Sequence, residues 1–189
     1  MAPAVADPPK LLSAEEFAAM PELGRFTELV KGEVINVPPP GFNHGEVCFK
    51  VAFTLGTHVV PRGIGRIVTN DSGVVTERDP DSVRGADVAY FSFERLPKGV
   101  TPRVYPEVPP ELVFEVMSPD DVFRDVMAKV DEYLAAGVLL VYVIDPSREQ
   151  AMLFQKDSLG TLFGPADAMT FPGVLPDLRI PVGPLFQEG

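Results

Sequence analysis

A single cysteine, Cys48, leaves the chain without the means to form an intrachain disulfide. That excludes a disulfide-built secreted domain and fits a reducing compartment. Position 48 lies in an apolar helical pattern, which reads as a buried structural thiol and not as a nucleophile. Long apolar runs are also missing. The longest, Val138 to Ile144, is far too short to span a bilayer. The opening MAPAVADPPK carries neither the basic segment nor the apolar core of a signal peptide, so a soluble, cytoplasmic protein is expected. Basic residues are outnumbered, 16 Lys and Arg against 27 Asp and Glu, for a net charge of −11. This argues against a broad basic footprint for duplex nucleic acid, which draws on many phosphate contacts. It leaves room for a local basic groove, or for a metal that bridges protein carboxylates to a phosphate. There is no Gly-x-Ser-x-Gly elbow, Walker loop, His-Glu-x-x-His or cysteine zinc pattern. His44 and His58 with the one cysteine do not by themselves make a zinc site.

What is present is an ordinary globular composition, 46% apolar and 23% charged over 189 residues. One domain is expected over 13–189, after a disordered lead-in at 1–12 rich in Ala and Pro. Ser13-Ala14-Glu15-Glu16 is a capping box that opens a short helix ended by Pro21. Phe26 to Val30 and Glu33 to Val37 read as a hairpin turning at Lys31-Gly32. Asn43 is placed as the cap of a second helix, with Val47, Val51, Leu55 and Val59 on its apolar face to about Pro61. Arg66 to Thr69, Gly73 to Thr76 and Val83 to Phe91 read as separate strands, followed by a proline-rich loop from Pro97 to Pro110. Glu111 to Asp145 reads as strand, helix, strand, with a further strand at Gln150 to Gln155. The tail from Gly160 is read as mostly loop and short edge strand. The fold class is therefore α/β (mixed α+β), a central mixed sheet flanked by helices.

Three charged residues interrupt apolar patterns. Glu115 sits within Leu112 to Met117 and shares a strand face with Val113 and Met117. Either it makes a structural ion pair or its burial serves chemistry, because an unpaired carboxylate there loses several kcal/mol of hydration or is forced neutral. Asp87 interrupts Val83 to Phe91 on the face of Ala89 and Phe91. Taken alone, it reads as solvation at a strand end. Lys129 lies seven residues after Val122, within about 20° of its direction on the helix that also carries Val126, Val130, Tyr133 and Leu134. It points to the sheet or snorkels along the helix edge. As a set, two carboxylates and an inward lysine provide hard oxygen ligands for Mg²⁺ with a cation beside them.

The chain resembles the Uma-type restriction endonuclease family of the PD-(D/E)XK nuclease superfamily. The resemblance runs from Phe26 to Phe186. It rests on Phe26-Thr27-Glu28-Leu29-Val30-Lys31-Gly32-Glu33, Asn43-His44-Gly45, Asp79 to Ala89, Glu111 to Pro119 and Lys129 to Gly137. Two departures stand out. Ala86 replaces the usual proline before the metal-binding aspartate. Met117 stands where the superfamily's lysine lies, two residues after the glutamate, and Lys129 on the following helix matches its displaced position. The resemblance implies a restriction-endonuclease-like fold and an endonuclease acting on nucleic acid, DNA above RNA, as a homodimer. It implies that Asp87, Glu115 and the Val116 carbonyl bind Mg²⁺ or Mn²⁺. Lys129 would orient or help deprotonate the attacking water and stabilise charge on the scissile phosphate. Glu28 would be an accessory acid, or else an exposed hairpin glutamate. His44 would touch a phosphate, or only cap its helix. The alternative is a nuclease-fold binding or regulatory module without turnover.

Overall fold

The computed structural model describes residues 10–20 and 26–188. The elements in chain order are α1 (Ala14–Ala19), β1 (Thr27–Val30), β2 (Glu33–Asn36), α2 (Phe42–Arg62), β3 (Gly65–Glu77), β4 (Ser82–Ser92), β5 (Leu112–Val116), α3 (Phe123–Ala136), β6 (Leu140–Asp145), β7 (Gln150–Phe154), β8 (Thr161–Phe163), β9 (Ala168–Phe171) and β10 (Leu175–Pro181), before a 3-10 turn at Gly183–Phe186. Of the expected lead-in, residues 1–9 lie outside the described residues, as does Pro21. Leu12 N–H donates to Gly32 O at 2.9 Å.

Local chemistry explains much of this order. The Ser13 hydroxyl accepts from Glu16 N–H while the Glu16 carboxylate accepts from Ser13 N–H, so α1 begins in a reciprocal capping box. Lys31 and Gly32 both take left-handed backbone angles, φ 50° and 79°, as a two-residue hairpin turn requires. The structure corrects two expectations here. Asn43 is not the cap of α2: Gly41 is, with no side-chain hydrogen bond, and Asn43 lies inside the helix. Arg66 to Thr69 and Gly73 to Thr76 belong to one strand, interrupted by a bulge where Asn70 and Asp71 adopt φ 65° and 54°.

Among the described residues, eight strands form one mixed sheet in the order β2-β1-β4-β5-β6-β7-β8, with β3 also paired to β4. The β5–α3–β6 unit is the parallel crossover, and Leu112 pairs with Leu140 through to Val116 with Ile144. How β4 shares its edges positions the site. Val83 pairs with Val75 on one side and Leu29 on the other, whereas Val88 pairs with Thr69 and Phe114. Thus β1 and β5 occupy successive stretches of the same edge of β4, and residues 84–87 fall where one ladder has ended and the next has not begun.

Alternation of side chains divides the core into two layers. Leu112, Phe114 and Val116 pack with Val47, Val51, Leu55 and Val59 of α2 on one face. Val113 and Met117 pack with Val126, Val130 and Tyr133 of α3 on the other. The tail contributes more than the sequence suggests. β9 and β10 form a second, two-stranded sheet, and their Met169, Phe171, Leu175 and Ile180 are buried in the α2 layer. Phe114 is fully buried at the centre of that layer, 5.3 Å from the Tyr142 ring and 6.0 Å from Phe171. Phe114→Ala is expected to cost about 3–5 kcal/mol, read as a lowered urea midpoint, because the ring leaves a cavity between two sheets. A loss under about 1 kcal/mol would show that the tail sheet does not close over β5.

Candidate active site

The break along the β4 edge gathers the charged residues. Glu115, from β5, turns toward α3 and is 6% exposed. Tyr133 Oη donates to its Oε1 at 2.9 Å, and Lys129 Nζ lies 3.4 Å from Oε2. Glu28, from β1, is 4% exposed. It accepts from Arg84 Nη1 at 2.9 Å and from Gly85 N–H at 3.1 Å, and it holds Lys129 Nζ at 2.8 Å. Glu28 is therefore not an exposed hairpin glutamate. Asp87, from β4, uses Oδ2 to accept from Val116 N–H at 2.6 Å, and His44 Nε2 lies 3.2 Å from the same oxygen.

Each placement has a local cause. Glu115 sits on the Val113 face, as strand alternation requires. Lys129 is aimed inward, but not by the reference chosen from sequence. Val122 caps α3 and is 56% exposed, so it marks no apolar seam. The seam is Val126, Val130 and Tyr133, and Lys129 lies three residues after the first and four before the last. The helix is itself tied down: Glu132 accepts two bonds from Arg84, at 2.7 and 2.6 Å, and one from Thr76 at 3.2 Å. His44 does not cap α2. It projects from the first turn to Asp87 and, through Nδ1, to Cys48 Sγ at 3.5 Å.

Several partners were not singled out in the sequence. Arg84 interrupts the same apolar strand as Asp87, and Tyr133 follows Lys129 at a one-turn interval, so both carried a local signal. Asp71 carried none. It lies at the β3 bulge with its carboxyl turned to Asp87, and Gly85 admits it: a Cβ on Gly85 would lie 2.9 Å from Asp71 Cβ.

Electrostatics follow the burial. Removal from water pushes the Glu115 carboxyl up to about 8, and the Asp87 charge adds to this against the opposing pull of Lys129. Burial works against the Lys129 ammonium, yet Glu115 and Glu28 together hold it above the ordinary lysine range. Glu28 makes the shorter of the two contacts, 2.8 Å against 3.4 Å, so it holds the ammonium charged even while Glu115 keeps its proton. Asp71 is raised by partial burial and then by Asp87, two carboxyls competing for one site. Burial disfavours the His44 imidazolium, but Asp87 beside it raises His44 overall. Burial and the neighbouring carboxylates push the Cys48 thiol far up, so with no cation beside it the sulfur stays protonated.

Glu28, Glu115, Val116 and Lys129 line a cleft of about 480 Å³ whose rim carries Asp120 and Asp121. A second cleft of similar volume, beside Leu134 and Phe154, carries only exposed charges, so chemistry and not size picks out the first. The donors suit a hard divalent cation: carboxylate oxygens on neighbouring strands, one of them on a carboxyl that burial favours protonated and that a bound cation would favour ionised. His44, Cys48 and Asp87 also bring ligand atoms within 4.8 Å of one another.

A mixed sheet whose split edge collects acidic residues and an inward lysine is the architecture of the restriction-endonuclease-like nuclease fold. The chain belongs to the Uma2 family, described as "Putative restriction endonuclease", which it matches over residues 14–183. It is also similar to a crystal structure from Anabaena variabilis ATCC 29413, described as "a putative nuclease belonging to DUF820". The TM-score is 0.81 at 20% identity, covering 93% of this chain and 97% of that one, a likeness of fold. No curated protein matches the chain. No helix among the described residues is long and apolar enough to cross a membrane.

The raised Glu115 makes stability depend on pH. An unfolded glutamate releases its proton near 4.5, whereas folded Glu115 keeps it to about 8. Its contribution is thus fully present below the lower value and is lost as pH rises through the upper one. Metal-free protein should lose up to about 1.4 kcal/mol per pH unit across that window. Glu115→Gln, which keeps the Tyr133 contact, should flatten the trend in urea midpoints taken with a chelator. Parallel trends for the two proteins would show that Glu115 is not held neutral.

Proposed function

We propose that this protein is a divalent-metal-dependent endonuclease that hydrolyses phosphodiester bonds of DNA. The observation that carries this is Glu115, a buried carboxyl raised in pKa, in contact with Lys129 and one strand from Asp87. Asp87 and Glu115, with the Val116 carbonyl, would hold Mg²⁺ or Mn²⁺. Such an ion, when bound, polarises a phosphoryl oxygen and lowers the pKa of a coordinated water. The remaining steps fall to the chain's own groups. Lys129 stays protonated between Glu28 and Glu115, which favours orienting the water and stabilising phosphate charge over accepting a proton. Glu28 aims Lys129. Tyr133 fixes one oxygen of Glu115 and leaves the other toward the lysine. The reaction adds water at phosphorus and breaks one P–O ester bond, leaving a phosphate monoester and a hydroxyl. We take the protein to act in the cytoplasm, as a homodimer, because cutting both strands calls for two such sites.

The second reading, a nuclease-fold binding or regulatory module without turnover, is favoured by Met117 in the superfamily's lysine position and by the acidic rim at Asp120 and Asp121. A polyanion approaches such a rim only with cations or a basic partner to screen it.

The two readings separate on plasmid, linear and single-stranded DNA with Mg²⁺ or Mn²⁺. Wild type should cleave and a chelator should stop it. Asp87→Ala should fall to the chelated level, and Lys129→Ala should lose on the order of 10²-fold or more. Equal cleavage by wild type and Asp87→Ala would assign the activity to a contaminant, and no cleavage by any protein would favour the silent module.

A further inference from the structure

Cys48 takes no part in the chemistry above, yet it sits against the metal carboxylate. His44 and Cys48 are one turn apart on α2 and project toward β4 together. The imidazole meets Cys48 Sγ through Nδ1 at 3.5 Å and Asp87 Oδ2 through Nε2 at 3.2 Å. One ligand atom from each of the three residues lies within 4.8 Å of the others. Around a four-coordinate zinc ion, with bonds of about 2.0–2.3 Å, neighbouring ligand atoms lie about 3.2–3.7 Å apart, so the three ligand atoms must draw together and the imidazole must turn to face the shared ion with a single nitrogen. All three residues are at least half-buried, and α2 is held rigidly by four buried valine and leucine side chains.

We propose that His44, Cys48 and Asp87 form a second cation site, selective for a thiolate-accepting divalent ion of the Zn²⁺ class, which competes with the hard cation for Asp87. The donor chemistry separates the two ions. Thiolate and imidazole suit zinc and its neighbours in the transition series, whereas Mg²⁺ takes oxygen and dehydrates reluctantly. Three protein ligands leave a fourth position open to water. On binding, Cys48 releases its proton to solvent and its sulfur joins the ion. Asp87 then has its Oδ2 drawn toward α2, away from the gap that it shares with Glu115. The competition, but not the binding, rests on the nuclease reading. A zinc-class ion would act as an inhibitor of that site, and Cys48 would be the residue that makes it one.

Cobalt(II) is the probe, because thiolate ligation gives it a near-ultraviolet charge-transfer absorption that oxygen and nitrogen ligands lack. Wild-type protein and Glu115→Gln should both develop this band on Co²⁺ titration. Cys48→Ser and Cys48→Ala, checked for native circular dichroism, should not. Added Mg²⁺ should raise the half-saturating Co²⁺ concentration in wild type and leave it unchanged in Glu115→Gln. A missing band in wild type, or a band that survives in Cys48→Ser, would overturn the site. A band insensitive to Mg²⁺ would overturn the competition. Since the readout is optical, a protein that binds Co²⁺ through sulfur but cleaves no DNA would refute the nuclease reading and leave this site standing.

Discussion

The exclusion of water from Glu115 is the constraint on which the rest of the site depends. A carboxyl placed there needs a proton, a cation or both. The fold answers with an alternating series of acidic and basic groups: Glu115 to Lys129, Lys129 to Glu28, Glu28 to Arg84, and Arg84 to Glu132. The series runs from β5 to α3, across to β1 and β4, and back to α3. Buried ion pairs of this kind add little net stability, but removing one partner strands the next. Their consequence here is geometric. Lys129 is held at one position over one cleft, by groups that come from three strands and its own helix.

The topology explains why the site lies where it does. A strand has two edges, and β4 gives one entirely to β3 and divides the other between β1 and β5. At the division the backbone of β5 runs out of ladder partners on β4, and Asp87 steps in by accepting from Val116 N–H. The same break leaves Glu28 and Glu115 lining the cleft. A structural requirement, pairing the end of β5, and a chemical one, gathering acidic oxygens, are met by the same residue.

Asp87, Glu115 and Lys129 were legible in the sequence because each interrupts a periodic apolar pattern, and periodicity is a local property. The strand–helix–strand unit was legible for the same reason. The phase of α3 was less so: Val122 looked like part of the seam, yet it precedes the helix, where 3.6-residue spacing does not apply. What long-range pairing creates was not legible. Asp71 reaches Asp87 only through a bulge and a glycine opposite it, Glu28 is buried only because Arg84 and Lys129 close over it, and the apolar residues of the tail look like loop until β9 and β10 pair. The His44–Cys48 turn was visible as a spacing, but its third member comes from another element.

The account's central claim is that Asp87 and Glu115 hold a divalent metal, and a crystal structure of the protein soaked in Mn²⁺ tests it most directly. The account predicts an anomalous difference peak between the two carboxylates, with the Val116 carbonyl among its ligands and Lys129 still paired with Glu28. Lys129 bonded to Glu115 as before, with no peak between the carboxylates at saturating Mn²⁺, would contradict it.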